Sequence, residues 1–321
     1  ALYHSEALIF GTGGNASIHY CNEPFSTSAD CIVFFAKRND FSVKLVYQYL
    51  SGNIHILQNG FKGAGIKHIS KDYIEDIELN LPILEQQHQI ASIFDKVTCT
   101  IELCNQIIEK LDLLVKAKFV EMFGDPVANP HIWEKIPLSE LAEIKIGPFG
   151  TLLHKEDYIS DGHALVNPSH IIDGKIAVDM KLTVSNEKYA ELGIYHLLID
   201  DVVMGRRGEM GRCAVVSENG LLCGTGSLII RTNGRLKADY IQKILSFPSF
   251  KKTIEDMAVG QTMPNLNVSI VSNFMIICPP IEVQEQYYFF VEQTEKSKSA
   301  VKQVLEKAET LKKALMQKYF G

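Results

Sequence analysis

The residues whose types and spacing could do chemistry fall into short groups, and each group is incomplete. Phe10-Gly11-Thr12-Gly13-Gly14 resembles the F-x-G-x-G loop of a methyltransferase, but it lies too near the start of the sequence for a cofactor fold to precede it. Asn167-Pro168-Ser169-His170 comes nearest to the N-P-P-[FY] pattern, yet it lacks the aromatic that would stack an extruded adenine. No G-x-x-x-x-G-K-[ST] loop exists, so no ATP motor is expected. Glu143-Ile144-Lys145 could belong to a nuclease carboxylate–lysine set, but no suitable aspartate precedes it. The histidines are dispersed and form no H-E-x-x-H pair. The expectation is a chain with no catalytic residues and no metal of its own.

Bulk properties narrow the class. Apolar residues make up 46% of the 321 and charged residues 22%, as in ordinary soluble domains, and the length suits two of them. The longest apolar runs, such as that around Phe274–Cys278, are too short to span a bilayer, and no secretion signal is seen. The seven cysteines (Cys21, Cys31, Cys99, Cys104, Cys213, Cys223, Cys278) include no C-x-x-C pair, which argues against zinc and disulfides and suits a cytoplasmic location. The net charge of −6 and a pI near 6.0 argue against tight, unaided binding to a polyanion. They leave room for local basic faces, or for a partner that supplies the positive field.

An internal repeat organises the chain. A gapless shift of 197 residues aligns Pro82 with Pro279, Glu85 with Glu282, Gln87 with Gln284 and Gln89 with Gln286. It continues through Glu109-Lys110 with Glu306-Lys307 to Phe123-Gly124 with Phe320-Gly321, and backwards to Gly63 with Gly260 and Ile69 with Leu266. In the first copy Ile90, Phe94, Val97, Ile101, Cys104, Ile108, Leu111 and Val115 recur at alternating steps of four and three, a heptad seam. Ile93, Ile107 and Leu114 widen it. The second copy offers Val301, Val304, Leu305, Ala308, Leu311 and Leu315. Pro82 and Pro279-Pro280 sit where a helix can begin, and Gly124 and Gly321 where one can be capped. Helices of this span are rods of roughly 55–60 Å, and the two seams most simply pair with each other.

Short apolar runs at Ala164–Val166, Lys175–Val178, Asp201–Met204, Cys213–Val216 and Ser227–Arg231, split by turns such as Asp161-Gly162 and Asn219-Gly220, predict strands; Ala238–Ser246 and Ser249–Ala258 predict helices. The first globular segment is shorter. It predicts strands around Ala7–Phe10 and Cys31–Ala36, a helix around Val43–Ser51 and a glycine turn at 63–65, as though only the C-terminal half of its sibling were present. The fold class expected is α+β, with two recognition domains (the first incomplete) separated by two long helices that pair as an antiparallel coiled coil. The boundaries read as 1–82 and 125–279 for the domains and 83–124 and 280–321 for the helical spacers.

Two variable segments thus alternate with two similar helical regions. Each helix opens on Pro and then Glu-x-Gln and ends in Phe-Gly; Glu143–Gly150 lies near the front of its domain, and Gly260-Gln261-Thr262 precedes Asn265-Leu266. Over nearly the whole chain this arrangement resembles the DNA specificity subunit of type I restriction–modification enzymes. The resemblance implies two target-recognition domains, each reading half of a split site in double-stranded DNA. It also implies paired helices that fix the spacer and dock two modification subunits, which bind S-adenosylmethionine and methylate adenine. A restriction subunit with motor and nuclease activity can join them, and the specificity subunit itself would catalyse nothing and hold no cofactor. The short first domain departs from that pattern. The alternative is a coiled-coil scaffold whose two domains bind another ligand.

A DNA reader needs Arg, Asn or Gln for base edges and Arg, Lys, Ser or Thr for phosphates. The loop Gly205-Arg206-Arg207-Gly208-Glu209-Met210-Gly211-Arg212, with Arg206, Arg207 and Arg212, is the leading candidate. Lys145 and the run Gly147–Thr151 with Phe149 and Thr151, followed by His154 and Lys155, are the second. Asn167, Ser169 and His170 form the third group, and Gln261, Thr262 and Asn265 the fourth. In the first domain Lys62, Lys67 and His68 match that last turn.

Overall fold

The computed structural model describes residues 2–209, 211–258 and 265–320. They divide into two compact units, Ala1–Asp112 with Glu295–Gly321, and Leu113–Thr294.

In the first unit strands β1 (Ala7–Gly11), β2 (Ser17–Cys21) and β3 (Cys31–Phe35) form an antiparallel sheet in the order β2-β1-β3. Helices α1 (Val43–Gly52), α2 (Ile54–Gln58) and α3 (Lys71–Glu75) follow. Ser42 starts α1 by accepting the Leu45 N–H at 3.2 Å on its hydroxyl, the usual role of serine before a helix. The helix has two apolar faces. Val43, Val46 and Leu50 pack on Leu8, Phe10 and Ile18 of the sheet, while Leu45 turns the other way onto Ile90, Ala91 and Phe94 of the long helix α4 (Leu84–Phe123).

The second unit carries β4 (Lys135–Pro137), α5 (Leu138–Leu141), β5 (Ala142–Ile146), β6 (His163–Val166), β7 (Ile171–Ile172), β8 (Lys175–Ile176), β9 (Thr183–Val184), α6 (Asn186–Glu191), β10 (Asp201–Gly205), β11 (Cys213–Val215), β12 (Leu222–Cys223) and β13 (Ser227–Thr232). After these come α7 (Ala238–Leu245), α8 (Pro248–Met257), α9 (Val268–Ser272) and β14 (Met275–Ile277). The main sheet has the order β11-β10-β13-β5, a smaller one has β12-β6-β9, and β14 pairs with β4. Strand alternation explains the unbroken apolar runs of β10 and β13. Val202, Met204, Leu228 and Ile230 face Tyr240, Ile241 and Ile244 of α7, whereas Val203, Ala214 and Ile229 face Ala164, Val166 and Cys223 of the small sheet. Asp201, 1% exposed, takes both Arg231 Nε at 2.8 Å and Nη2 at 2.7 Å, so the charge at the edge of this core is paired. That bond raises the Arg231 pKa.

The two units repeat one plan. The pairing of β1 with β2 and β3 matches that of β10 with β11 and β13, with Gly11 opposite Cys31 as Gly205 is opposite Ser227. Each sheet is followed by a helix, and each helix meets a buried glutamine near the start of a long helix. In the first unit Gln87 Oε1 accepts the Ser42 N–H at 2.7 Å, and its Nε2 donates to the carbonyls of Pro82 at 2.7 Å and Asp40 at 3.4 Å. In the second, Gln284 near the start of α10 (Ile281–Phe320) accepts the Lys237 N–H at 3.1 Å and donates to the carbonyls of Pro279 at 3.0 Å and Arg235 at 3.2 Å. The glutamine of the repeated Glu-x-Gln element is therefore a polar lock that ties a long helix to the entry of a domain helix.

The long helices run antiparallel. Within the first unit Phe94 stacks on Phe320 at 5.4 Å and Lys298 bonds to Asp112. Within the second, Phe119 and Phe123 meet Tyr287 edge-on at 5.6 and 5.3 Å. Along α4 residues 87, 90, 94, 97, 101, 104, 108, 111, 115, 118 and 122 are buried or half-buried, and along α10 so are residues 284, 287, 291, 294, 298, 301, 305, 308, 312, 315 and 319. Both series are strict heptad seams, and the repeat carries one onto the other. This corrects two seam assignments. Val304 and Leu311, each 49% exposed, lie off the seam, whose turns there belong to Leu305 and Ala308. The cause is that Thr294, Lys298 and Lys312 occupy seam positions, so counting apolar residues alone misplaces the phase. The other expected seam residues, Ile90, Phe94, Val97, Ile101, Ile108, Leu111, Val115, Val301, Leu305 and Leu315, are buried or half-buried.

Candidate nucleic-acid interface

In the second unit the ends of five strands and a turn converge. The Arg206 N–H donates to the Gly226 carbonyl at 2.9 Å, and the Leu266 N–H donates back to the Arg206 carbonyl at 3.0 Å. The Gly147 N–H, just past β5, reaches the Ser227 carbonyl at 3.0 Å, and the Gly224 N–H reaches the Val166 carbonyl, ending β6, at 3.0 Å. The approach is close enough to require glycine. A Cβ on Gly147 would lie 2.1 Å from the Gly224 carbonyl oxygen, and one on Gly224 would lie 2.2 Å from Asn167 Oδ1. The result is a backbone-rich platform from which side chains of the intervening loops project.

The three arginines of the leading loop have different tasks. Arg206 is half-buried and donates its Nε to the Leu266 carbonyl at 2.9 Å, a second tie on the bridge its own backbone makes. Burial, with the neighbouring Arg207 charge, lowers its pKa. Arg212 donates Nη2 to Glu209 at 2.6 Å and Nη1 to the Pro168 carbonyl at 3.2 Å. Glu209, also held by Lys251 at 3.0 Å, has its pKa lowered by these bonds. Arg207 alone of the three is exposed and forms no side-chain bond among the described residues. Among the described residues it is the exposed bidentate donor without a bond, while Arg206 and Arg212 shape the loop.

The other candidates divide in the same way. His170 is only 7% exposed, with Nδ1 held 2.7 Å from the Leu165 carbonyl, so it braces the turn after β6 rather than facing solvent. Asn167 is half-buried above Gly224, and Ser169 is exposed. Lys145, on β5, pairs with Glu143 at 2.9 Å. Phe149 is 62% exposed, and Thr151, His154 and Lys155 follow it on the surface. Asn265 buries its Oδ1 with no hydrogen-bond partner among the described residues. Gln261 and Thr262 lie outside the described residues. Sequence reasoning missed Gly224-Thr225-Gly226, whose exposed Thr225 sits on the platform; its signal was a G-x-G following a two-residue strand. In the first unit Lys62, Lys67 and His68 are exposed on one short hairpin, where Lys62 and His68 exchange backbone bonds at 2.9 and 3.0 Å.

The duplicated sheet-and-loop unit, each copy locked to a long helix, defines a class of paired recognition modules. Residues 1–113 and 130–310 match the family model described as the type I restriction modification DNA specificity domain. The chain belongs to that family, and DNA recognition within a type I restriction–modification system is its role. It is similar to the type I restriction enzyme MjaVIII specificity subunit of Methanocaldococcus jannaschii, 22% identical over 300 residues, 88% of this chain and 70% of that one. It is likewise similar to the EcoBI specificity subunit of Escherichia coli, 21% identical over 322 residues, 90% of this chain and 67% of that one. Among solved structures, an S subunit from M. genitalium matches with TM-score 0.61 at 16% identity, over 99% of this chain and 83% of that one. The subunit from Thermoanaerobacter tengcongensis matches with TM-score 0.53 at 17% identity, over 98% and 80%. At these identities the solved structures speak for the fold.

Proposed function

We propose that each unit reads one half of a split double-stranded DNA site, and that the antiparallel helices set the spacing between the halves. The target-recognition domains are taken as 1–82 and 125–279, and the helical spacers as 83–124 and 280–321. One observation carries this reading: the glutamine lock and the pair of backbone ties that pin the loop leaving the central strand (Arg206 to Gly226 and Leu266 to Arg206, Thr12 to Asp30 and Ile69 to Thr12) both occur twice, on two continuous helices. A helix of 40 residues is roughly 60 Å long, against about 34 Å per turn of DNA, so readers mounted on such helices suit a non-contiguous site.

The chemistry is assigned to partners. Two modification subunits, which carry S-adenosylmethionine and methylate adenine, dock on this chain, and a restriction subunit with a motor joins them. The chain contributes sequence choice and no reacting group. Its net charge of −6 fits a subunit that binds DNA within an assembly whose other members supply much of the positive field. No helix among the described residues is long and apolar enough to cross a membrane, and the proposed setting is the cytoplasm. The candidate contacts are Arg207, Thr225, Lys145, Phe149, Thr151, His154, Lys155, Asn167 and Ser169 in the second unit, with the platform residues beneath them, and Lys62, Lys67 and His68 in the first.

The test is selection from random duplex DNA by the chain bound to a type I modification subunit. The expected product is two short conserved blocks separated by a fixed non-conserved spacer. A single contiguous block, or none, would remove the reading. Methylation by the chain without its partner would overturn the division of labour.

A further inference from the structure

The loop Thr12-Gly13-Gly14-Asn15, whose glycines resemble a cofactor cradle in sequence, occupies the place in the first unit that the arginine loop holds in the second. The match rests on bonds. The Thr12 N–H donates to the Asp30 carbonyl at 3.0 Å, as Arg206 does to Gly226, and the Ile69 N–H donates to the Thr12 carbonyl at 3.0 Å, as Leu266 does to Arg206. Gly11 ends β1 opposite Cys31 as Gly205 ends β10 opposite Ser227, and Ile69 and Leu266 are partners in the internal repeat. Thr12 also donates its hydroxyl to the Asp30 carbonyl at 2.8 Å, which holds the loop as Arg206 Nε holds its own.

The two ties that pin this loop are therefore shared, but the charges have changed sides. In the second unit the cations lie on the loop leaving the central strand, at Arg206 and Arg207. In the first that loop is neutral, and the cations Lys62 and Lys67 lie on the hairpin bonded to it, with the Gly14 N–H donating to the Lys67 carbonyl at 3.2 Å. Gly13 allows the contact, since a Cβ there would lie 3.2 Å from the His68 ring. Asn15, Lys62 and Lys67 are exposed, and Asn15 makes no side-chain bond among the described residues. The acid on this surface is Asp30, also exposed.

We propose that Asn15 is a base-reading residue of the first unit, with Lys62 and Lys67 holding the flanking phosphates and Thr12 positioning the loop. An exposed asparagine on a backbone-pinned loop can pair with both N6 and N7 of adenine, and lysines beside it suit phosphate oxygens. This rests on the reading of the chain as a subunit with two DNA readers. It adds which residues serve the first reader, and that adenine is the base Asn15 recognises.

The experiment selects random duplex DNA with the wild-type complex and with the N15A, K62A/K67A and R207A variants. N15A is expected to lose preference for adenine at one position of one half-site, by roughly 5- to 150-fold, while the other half-site stays as in wild type. R207A is expected to alter the other half. K62A/K67A is expected to weaken binding to all sequences alike and to lower the salt dependence by about two phosphate contacts. Thermal unfolding of N15A should match wild type, so a fold defect is distinguished from lost readout. Unchanged half-sites in N15A, or N15A and R207A acting on the same half, would overturn the proposal while leaving the two-reader function intact. A wild-type complex that enriches no split sequence would instead sink the function on which the proposal rests.

Discussion

Replacing Gln284 with glutamate changes one NH2 group into an oxygen, yet the structure makes it a severe test of the helix lock. Gln284 is fully buried, accepts one backbone N–H and donates to two backbone carbonyls. A glutamate carboxylate keeps the acceptor and loses both donors, which sets its charge against the Pro279 and Arg235 carbonyl oxygens. Two lost bonds at about 1 kcal/mol each, with two buried acceptors unpaired, amount to roughly 3–5 kcal/mol at neutral pH. Burial and the facing carbonyls raise the pKa of the introduced carboxyl in the folded state. A raised folded-state pKa contributes stability that is complete below the unfolded value of about 4.3 and is lost as pH climbs through the folded value. Q284E should therefore approach wild type in acid, where a protonated carboxyl restores one donor, and fall furthest behind in alkali. Trp133, the single tryptophan, packs against the core of the second unit and reports its unfolding in urea. A midpoint difference worth under 1 kcal/mol at pH 8, or one that does not shrink as pH falls, would refute the lock.

Three further expectations follow from named contacts. R206A should destabilise the second unit by about 1–2 kcal/mol through the lost bond to Leu266, whereas R207A should stay within about 0.5 kcal/mol of wild type and lose DNA affinity; urea unfolding and DNA titration separate the two. D201N should cost about 3 kcal/mol, because it leaves the Arg231 guanidinium without its charge partner at the edge of a buried sheet, read as a lowered urea midpoint. Burial pushes the Cys213 thiol up to about 11 and raises that of Cys223, so iodoacetamide at pH 8 should label exposed Cys99 well before either; mass spectrometry of the native protein gives the order.

Elements were legible where local periodicity decides them. The short apolar runs at Asp201–Met204 and Ser227–Arg231 became the buried strands β10 and β13, and the stretch Val43–Ser51 became α1. β2, at Ser17–Cys21, escaped notice because it is short and carries His19 and Tyr20 among its apolar residues. The candidate site was legible only in part. Arginines and glycines marked the right loop, but residue type says nothing of whether a guanidinium meets a neighbouring carbonyl or solvent. Gln284 was visible as a repeated letter, while its task depended on three backbone groups brought to it by folding.

By itself the sequence determined the duplication, the two long helices with their proline starts, and the family resemblance, because these rest on covalent order and on a period written along one chain. Tertiary structure alone decided the phase of the second seam, where Lys298 and Lys312 sit in positions an apolar count would deny them. It also decided that Arg206 and His170 brace the platform while Arg207 is exposed, and that Thr12–Asn15 is the counterpart of the arginine loop. The reason is the same in each case. A hydrogen-bond partner or a buried face is chosen by what lies across space, and residues distant along the chain meet only once the sheets and helices have packed.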